Sequence, residues 1–334
     1  MTIVNSPMKR LYSKLKTVGY NPKYVHSLLP DWWDDKIADT PAGLQQASLI
    51  LGQYFGVRAE TLWTEGVAPD LRLPEGIRFK HRENVKVDDL GIACALAQSL
   101  ARIVLKAFPE KPLPHFYLDA GELRKKLLAG RNWIDFQSLL QYCFDLGIPV
   151  IHLQYLPTRA KKMEGLAFEQ NNRPVIVLTR SHPHGYMLFD LAHELGHISL
   201  GHVTAENSVV DQEIDSEASE EDERAANRFA LELLTGNPEC KIVPVGKLLN
   251  GCELAAAAMI HAERNHVDPL HIVLNYGHTR KMWGAAHAAI KEIAENVPSD
   301  QQILRNTLLQ SLDLDVLSND EYTLLQIHLA GNTI

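Results

Sequence analysis

The chain has 334 residues, and its 33 basic and 41 acidic side chains give a formal net charge of −8. Hydrophobic residues make up 46% of the chain and charged residues 22%, a composition typical of a folded globular protein and unlike that of a disordered one. The length allows two or three domains. The acidic balance argues against a protein coated in nucleic acid, although it is compatible with a local basic patch.

The sequence shows the pattern of a cytoplasmic protein. The first 15 residues contain bases but no apolar run, unlike a secretory signal. The best candidate for a membrane span, residues 91–108, contains Gln98, Arg102 and Lys106, so it predicts an amphipathic helix of a soluble protein. Four widely spaced cysteines without a CxxC pair are typical of reduced thiols. We therefore expect a cytoplasmic protein without membrane contact.

Residues 1–67 have the pattern of short helices separated by tight breaks. Asn21-Pro22 and Thr40-Pro41 each place an N-cap residue before a proline at the first helical position. The run 42–63 is similar to the closing half of a repressor-type helix-turn-helix module. Three acids in residues 31–35, however, fall near the expected recognition helix, where they would repel phosphate. DNA binding by this module is one interpretation, and protein docking or scaffolding is the other.

The middle of the chain changes from helix to short strands and back. Residues 68–114 are interpreted as a linker followed by a helix from about residue 88 to residue 107, with a proline-rich break at 109–114. Beyond the break, a helical run at 139–146 precedes three β-type runs, which are residues 148–153, 165–168 and 174–178. Residues 115–240 are therefore expected to form one core domain.

The remaining residues, 241–334, predict a helical C-terminal region with breaks at 268–269 and at Pro298. Five histidines scattered through it fit no metal-binding spacing, and we interpret them as structural: His261, His266, His271, His278 and His287. The order of helices, small sheet and helices predicts an α+β fold that is mostly helical, with all-α flanks around the core.

The strongest chemical motif is HExxH, which lies within a run of helical period at residues 186–200. Positions i and i+4 differ by about 40° around a helix, so His193 and His197 point the same way and are able to share one tetrahedral ion. Glu194 lies beside the pair, where it can accept a proton from a metal-activated water. A surface helix with two solvated histidines is the alternative, but the apolar residues around the motif argue against it.

A third metal ligand is available downstream. Metzincin spacing would need a histidine at position 203, where Val203 stands, and His202 is one residue short. The other choices are carboxylates in an acidic segment, residues 206–223, that holds nine acids and no base. They are Asp211, Glu213, Asp215, Glu217, Glu220, Glu221, Asp222 and Glu223.

The end of this acidic segment becomes helical. Glu223, Ala226, Asn227 and Ala230 lie on one stripe, and the small residues allow close approach to another helix. A carboxylate at the start of that stripe has the geometry that a third zinc ligand needs. Asn227, one turn further on, is a candidate to bind the free ring nitrogen of a ligating histidine.

These motifs resemble the ImmA/IrrE-type metallopeptidases over about residues 135–236. The resemblance rests on His-Glu-Leu-Gly-His-x3-Gly-His, on Glu-x2-Ala-Asn-x-Phe-Ala-x2-Leu-Leu about 26 residues later, and on the strands before them. It implies a zincin-like metalloprotease core with Zn²⁺ held by His193, His197 and Glu223, and Glu194 as the catalytic base. The sequence departs from the family at Thr235-Gly236, where Met-Pro is common.

The resemblance also implies a function, because members of the family typically cleave a helix-turn-helix repressor that is often encoded beside them. We therefore expect a zinc endopeptidase that cleaves a regulatory protein, a repressor or antitoxin, in a stress, mobile-element or phage-defence response. Candidates for stabilising the oxyanion are His202, Tyr186 and Tyr155. Two alternatives stay open. One is a DNA- or protein-binding regulator that uses the core only as a platform, and the other is a zinc hydrolase acting on a small molecule.

Overall fold

A computed structural model describes residues 6–74, 87–111, 118–182, 184–204, 209–210, 217–244 and 246–330. Part of the predicted linker (75–86), part of the proline-rich break (112–117) and the candidate ligands Asp211, Glu213 and Asp215 lie outside these residues. The described chain is mostly helical with one small mixed sheet, which confirms the predicted α+β class.

The N-terminal helices begin where the sequence predicts. They are α1 (Pro7–Thr17), α2 (Pro22–Leu28), α3 (Pro41–Phe55) and α4 (Ala59–Trp63). The side chain of Asn21 accepts a hydrogen bond from the Tyr24 amide, and that of Thr40 accepts one from Gly43, as N-caps do. Near the position expected for a recognition helix, Asp35–Asp39 form a 3-10 helix instead of an α-helix. DNA binding by this module stays a prediction.

Helix α5 (Val87–Ala107) is the central helix of the main core. By length and composition alone, its segment Asp89–Ala107 is apolar enough to cross a membrane, but 78% of that window is buried inside the protein. A core helix has the same composition, so this segment is weak evidence for a membrane span.

The sheet lies beside helices α6 (Ala120–Leu127) and α7 (Phe136–Asp145). Its strands are β1 (Val150–His152), β2 (Gly165–Gln170), β3 (Arg173–Leu178) and β4 (Val209–Val210), in the order β1-β3-β2-β4. Strands β1 and β3 are parallel, whereas β2 pairs antiparallel with both β3 and β4. Asn171 and Asn172 join β2 to β3 with positive φ angles of 53° and 58°, as a tight hairpin turn requires. The first three strands were predicted, and β4 was not.

Two helices carry the predicted metal motif, α8 (Tyr186–Ser199) and α9 (Glu217–Thr235). Helix α8 packs on β2 and β3, and its opposite side packs on α9. The two helices approach closely at Gly196, where a Cβ atom would lie 3.3 Å from the Ala226 carbonyl oxygen and 3.1 Å from Phe229 Cδ1. This contact explains the small residues of the predicted stripe.

The C-terminal helices belong to two groups. Helices α10 (Gly251–Asn265), α11 (Pro269–Arg280) and α12 (Trp283–Ile293) share a small separate cluster of buried residues. Helices α13 (Asp300–Ser311) and α14 (Asn319–Ala330) instead contribute to the main core, for example through Leu304 and Leu325. The C-terminal segment therefore folds back onto β1 and α5.

Candidate metal centre

Three side chains converge between α8 and α9. The Nε2 atoms of His193 and His197 are 3.0 Å apart. The carboxylate of Glu223 lies 3.3 Å from His193 Nε2 through Oε2 and 3.5 Å from His197 Nε2 through Oε1. Among the described residues, this is the one group of three metal-binding side chains whose ligand atoms all fall within 4.8 Å of one another.

The donor set fits a zinc ion in both chemistry and spacing. Two imidazoles and one carboxylate are the ligands of catalytic zinc sites that keep a fourth position open. With metal–ligand distances of about 2.0–2.1 Å, a tetrahedral ion separates its donor atoms by roughly 3.3 Å. The observed separations of 3.0, 3.3 and 3.5 Å lie around that value. His193, His197 and Glu223 are thus placed to hold such an ion without rearrangement of either helix.

The protonation of the cluster also suits a cation. Burial lowers the pKa of His197 to about 4, so the ring is neutral at physiological pH. Burial opposes ionisation of Glu223, but hydrogen bonds from His193 and His197 outweigh it and bring the pKa of Glu223 well below its ordinary value. Neutral imidazoles and an ionised carboxylate are the states that bind a metal.

Glu194, the predicted base, is fully buried beside this cluster. It follows His193 on α8, and its carboxylate lies against the backbone of Gly165 at the start of β2. A Cβ atom at position 165 would overlap the Glu194 carboxylate, so the strand has room for Glu194 only because residue 165 is glycine. The sequence signal at Gly165 was only that of a β-type run, and the contact with Glu194 was not predicted.

His202 lies behind His197 on the side away from the cluster. Its Nδ1 atom is 3.0 Å from His197 Nδ1, and its Nε2 atom is 3.4 Å from Asp222 Oδ1. Burial lowers the pKa of His202, although the carboxylates of Asp222 and Glu223 oppose that effect. His202 thus contacts the ring nitrogen of His197 that is turned away from Glu223, and its role in stabilising an oxyanion stays a prediction.

The remaining predicted residues lie elsewhere. Asn227 is exposed, and of the two histidine ring nitrogens that it could bind, Nδ1 of His197 is in contact with His202 instead. Tyr186 stacks on His182, and its hydroxyl lies 3.4 Å from Nε2 of His287 on α12. The Tyr186 side chain is therefore directed toward α12. Tyr155 stacks on Tyr24 of the N-terminal module. Neither tyrosine contacts the three metal-binding side chains in the described structure.

Comparison with known proteins agrees with the motif. Residues 145–240 match the model of the IrrE N-terminal-like domain, Peptidase_M78, which is a metallopeptidase family. The match covers less than a third of the chain and includes all three converging side chains together with Glu194. It confirms the predicted resemblance over this segment and supports a peptidase-type domain. No curated protein and no solved structure matches the chain.

Proposed function

We propose that the protein is a zinc-dependent endopeptidase that cleaves a regulatory protein, a helix-turn-helix repressor or antitoxin. The observation that carries the proposal is the convergence of His193, His197 and Glu223 within a segment that matches a metallopeptidase domain. The buried Glu194 beside them supports catalysis, because a site that only binds a partner has no need of a base there.

The chemistry follows from the placement of the side chains. When bound, zinc supplies Lewis-acid activation of a water molecule and of the peptide carbonyl. Glu194 accepts the proton of the attacking water at its carboxylate and then delivers it to the amine of the departing peptide. His197 holds its ring orientation through His202, and the close contact of Gly165 keeps the Glu194 carboxylate in one position.

The substrate class is supported by the resemblance and by the architecture. The peptidase-like segment is surrounded by helices on both sides in sequence. The N-terminal helices, α13 and α14 share its buried core, and α10–α12 form a separate cluster. Such large flanking regions suit recognition of a folded macromolecule better than hydrolysis of a small molecule, which needs no more than the pocket. A repressor encoded beside the gene is accordingly the first substrate to test.

The decisive experiment measures metal content and cleavage separately. Purified wild-type protein is expected to carry about one zinc ion per chain, His193→Ala to lose it, and Glu194→Gln to keep it. Incubation with the neighbouring repressor should give discrete fragments with the wild type, and neither Glu194→Gln nor chelator-treated protein should produce them. Cleavage by Glu194→Gln at the wild-type rate would overturn the mechanism. Binding of the repressor without any cleavage would favour the platform interpretation.

A further inference from the structure

A cavity of about 590 Å³ lies between the peptidase-like core and the α10–α12 cluster. Its volume falls within the range of small-molecule sites. Apolar side chains dominate its walls, namely Trp133, Phe136, Leu188, Met259, Leu270 and Ile293. None of the three metal-binding side chains lines it, so this cavity is separate from the metal centre.

Two buried carboxylates stand in this apolar wall. Asp268 is 6% exposed and Asp300 is 5% exposed. Asp268 caps α11 by accepting hydrogen bonds from the amides of Leu270 (2.8 Å) and His271 (3.1 Å). Asp300 accepts a hydrogen bond of 2.9 Å from the amide of Gly185. Their hydrogen-bond partners are therefore neutral backbone groups.

The protein supplies little positive charge to balance them. Neither carboxylate forms an ion pair with a residue that the structure describes, and no lysine or arginine is among the lining residues. His184 is the one basic side chain in that lining, and its Nε2 atom lies 3.1 Å from the Val297 carbonyl oxygen. Asp135 and Glu292 add two further carboxylates to the wall.

Buried carboxylates normally have a cation as partner, because loss of hydration otherwise disfavours the charged form. Burial raises the pKa of Asp268 to about 7, the backbone hydrogen bonds only partly oppose it, and the charges of Asp135 and Asp300 raise it further. Burial likewise raises the pKa of Asp300, and the hydrogen bond from Gly185 and the charge of His184 oppose this rise without cancelling it. An ammonium group in the cavity that both carboxylates line would relieve both their lost hydration and their mutual repulsion.

We propose that this cavity is a binding site for a small organic cation, a primary ammonium group carried on an apolar body. The carboxylates of Asp268 and Asp300 receive the ammonium group, and the apolar walls receive the body. Exposed Met259 and Val297 mark the side on which the cavity opens to solvent. Asp300 also holds Gly185, the residue at the N-terminal end of α8, so the occupant bonds to a carboxylate that anchors the metal-binding helix.

The test uses 2-phenylethylamine as the probe, with 2-phenylethanol and phenylacetate as neutral and anionic probes of similar shape. Titration calorimetry on the full chain is run at about pH 8, above the raised pKa of Asp268. The amine should bind one-to-one with a Kd below roughly 1 mM, and the other two should bind at least about tenfold more weakly. The readout is binding alone, so the result does not depend on any peptidase activity.

Substitutions that keep size but remove charge locate the site. Asp268→Asn and Asp300→Asn retain an acceptor oxygen for the backbone amides, and each should weaken amine binding by about tenfold or more. Asp119→Asn is the matched control, because Asp119 caps α6 by accepting from the Glu122 amide at 2.8 Å and lies outside the cavity wall. This control should bind the amine as the wild type does.

A surface substitution keeps the proposal testable if the buried variants fail to fold. Val297 is 49% exposed and lines the cavity. Val297→Lys places a tethered ammonium at the cavity edge, where it should compete with the amine and weaken amine binding by about tenfold. Val297→Gln should not. Three results would each overturn the proposal. They are equal affinity for the amine and the alcohol, no saturable binding of the amine, and wild-type affinity for the amine in Asp268→Asn, Asp300→Asn and Val297→Lys.

Discussion

The Nδ1 atom of His202 lies 3.0 Å from the Nδ1 atom of His197, whose opposite nitrogen faces the Glu223 carboxylate. For His197 to offer Nε2 to a metal, its proton must be on Nδ1, from where it donates to His202. His202 then carries its own proton on Nε2, directed at Asp222. Such outer contacts fix the ring orientation of a ligand and raise its basicity.

The first prediction concerns metal affinity. His202→Ala should weaken zinc binding by about 10–100-fold, because His197 loses the acceptor that holds its tautomer. Competition with a chromophoric chelator measures this without any cleavage assay. His202→Asn, which retains an acceptor oxygen, should recover part of the zinc affinity. His261→Ala removes an exposed histidine and should leave the zinc affinity unchanged. Wild-type affinity in His202→Ala would contradict the role.

The second prediction concerns the space around the base. Gly165→Ala should reduce cleavage by about 100-fold while zinc content stays at the wild-type level, because the added Cβ displaces the Glu194 carboxylate and leaves the three ligands in place. Gly284→Ala is the matched control, since a Cβ at Gly284 meets no atom within 4 Å. A Gly165→Ala protein as active as the control would show that Glu194 needs no such support.

The parts of the site that could be predicted are those that depend on local spacing. The i, i+4 period places His193 and His197 on one side of a helix whatever the rest of the chain does. The small-residue stripe after Glu223 likewise indicates a helix that packs closely on another. Strand β3 was recognisable because it is a short apolar run bounded by turn residues and is buried throughout.

Other features depend on contacts between distant segments, which periodicity does not encode. The acidic segment contains Val209–Val210, which pair with β2 although their sequence surroundings are typical of a solvated loop. Helix α14 docks on the core through a backbone hydrogen bond that the Gln154 amide donates to the His328 carbonyl oxygen. Local sequence does not indicate this contact. For the same reason the carboxylates of Asp268 and Asp300, which are 32 residues apart in the numbering, gave no signal of a shared cavity.

The third prediction concerns acid stability. His271 is buried with no hydrogen-bond partner at either ring nitrogen among the described residues, and burial lowers its pKa to about 4. The folded state therefore binds this proton less readily than the unfolded state does, so the contribution of His271 is fully present above about pH 6.5 and is lost as the pH falls toward 4, by up to about 3 kcal/mol. Asp268, one turn earlier, has a raised pKa, so its contribution to the free energy of unfolding increases as the pH falls through about 7, opposite to that of His271.

His271→Phe isolates this contribution, since Asp268 is common to both proteins. The new ring keeps the stacking on Phe189, where the present centroids are 6.0 Å apart, and no hydrogen bond is lost. Urea unfolding should give a free energy of unfolding that falls less steeply between about pH 6.5 and pH 4 than in the wild type. The same substitution at exposed His261 should leave the slope unchanged. An equal slope in His271→Phe would mean that His271 is already solvated.

The fourth prediction concerns the anchoring of α9. The guanidinium of Arg124 is buried and donates to the carbonyl oxygens of Leu233 and Leu234 at the end of α9, at 3.0 and 2.7 Å. Its other nitrogen donates to the carbonyls of Asn265 and His266 at the end of α10, at 3.2 and 2.7 Å. Only a planar group with several donors is able to serve both helix ends.

Arg124→Lys and Arg124→Gln should both lower the free energy of unfolding by about 2–3 kcal/mol, because buried carbonyls lose charged hydrogen-bond donors. Urea unfolding measures the loss, and Lys125→Gln, at the exposed neighbouring position, should fall within about 0.5 kcal/mol of the wild type. Since α9 carries Glu223 and Arg124 contacts only its far end, zinc affinity in the folded variants should change less than in His202→Ala. Arg124→Lys as stable as the wild type would show that one ammonium suffices to hold both helix ends.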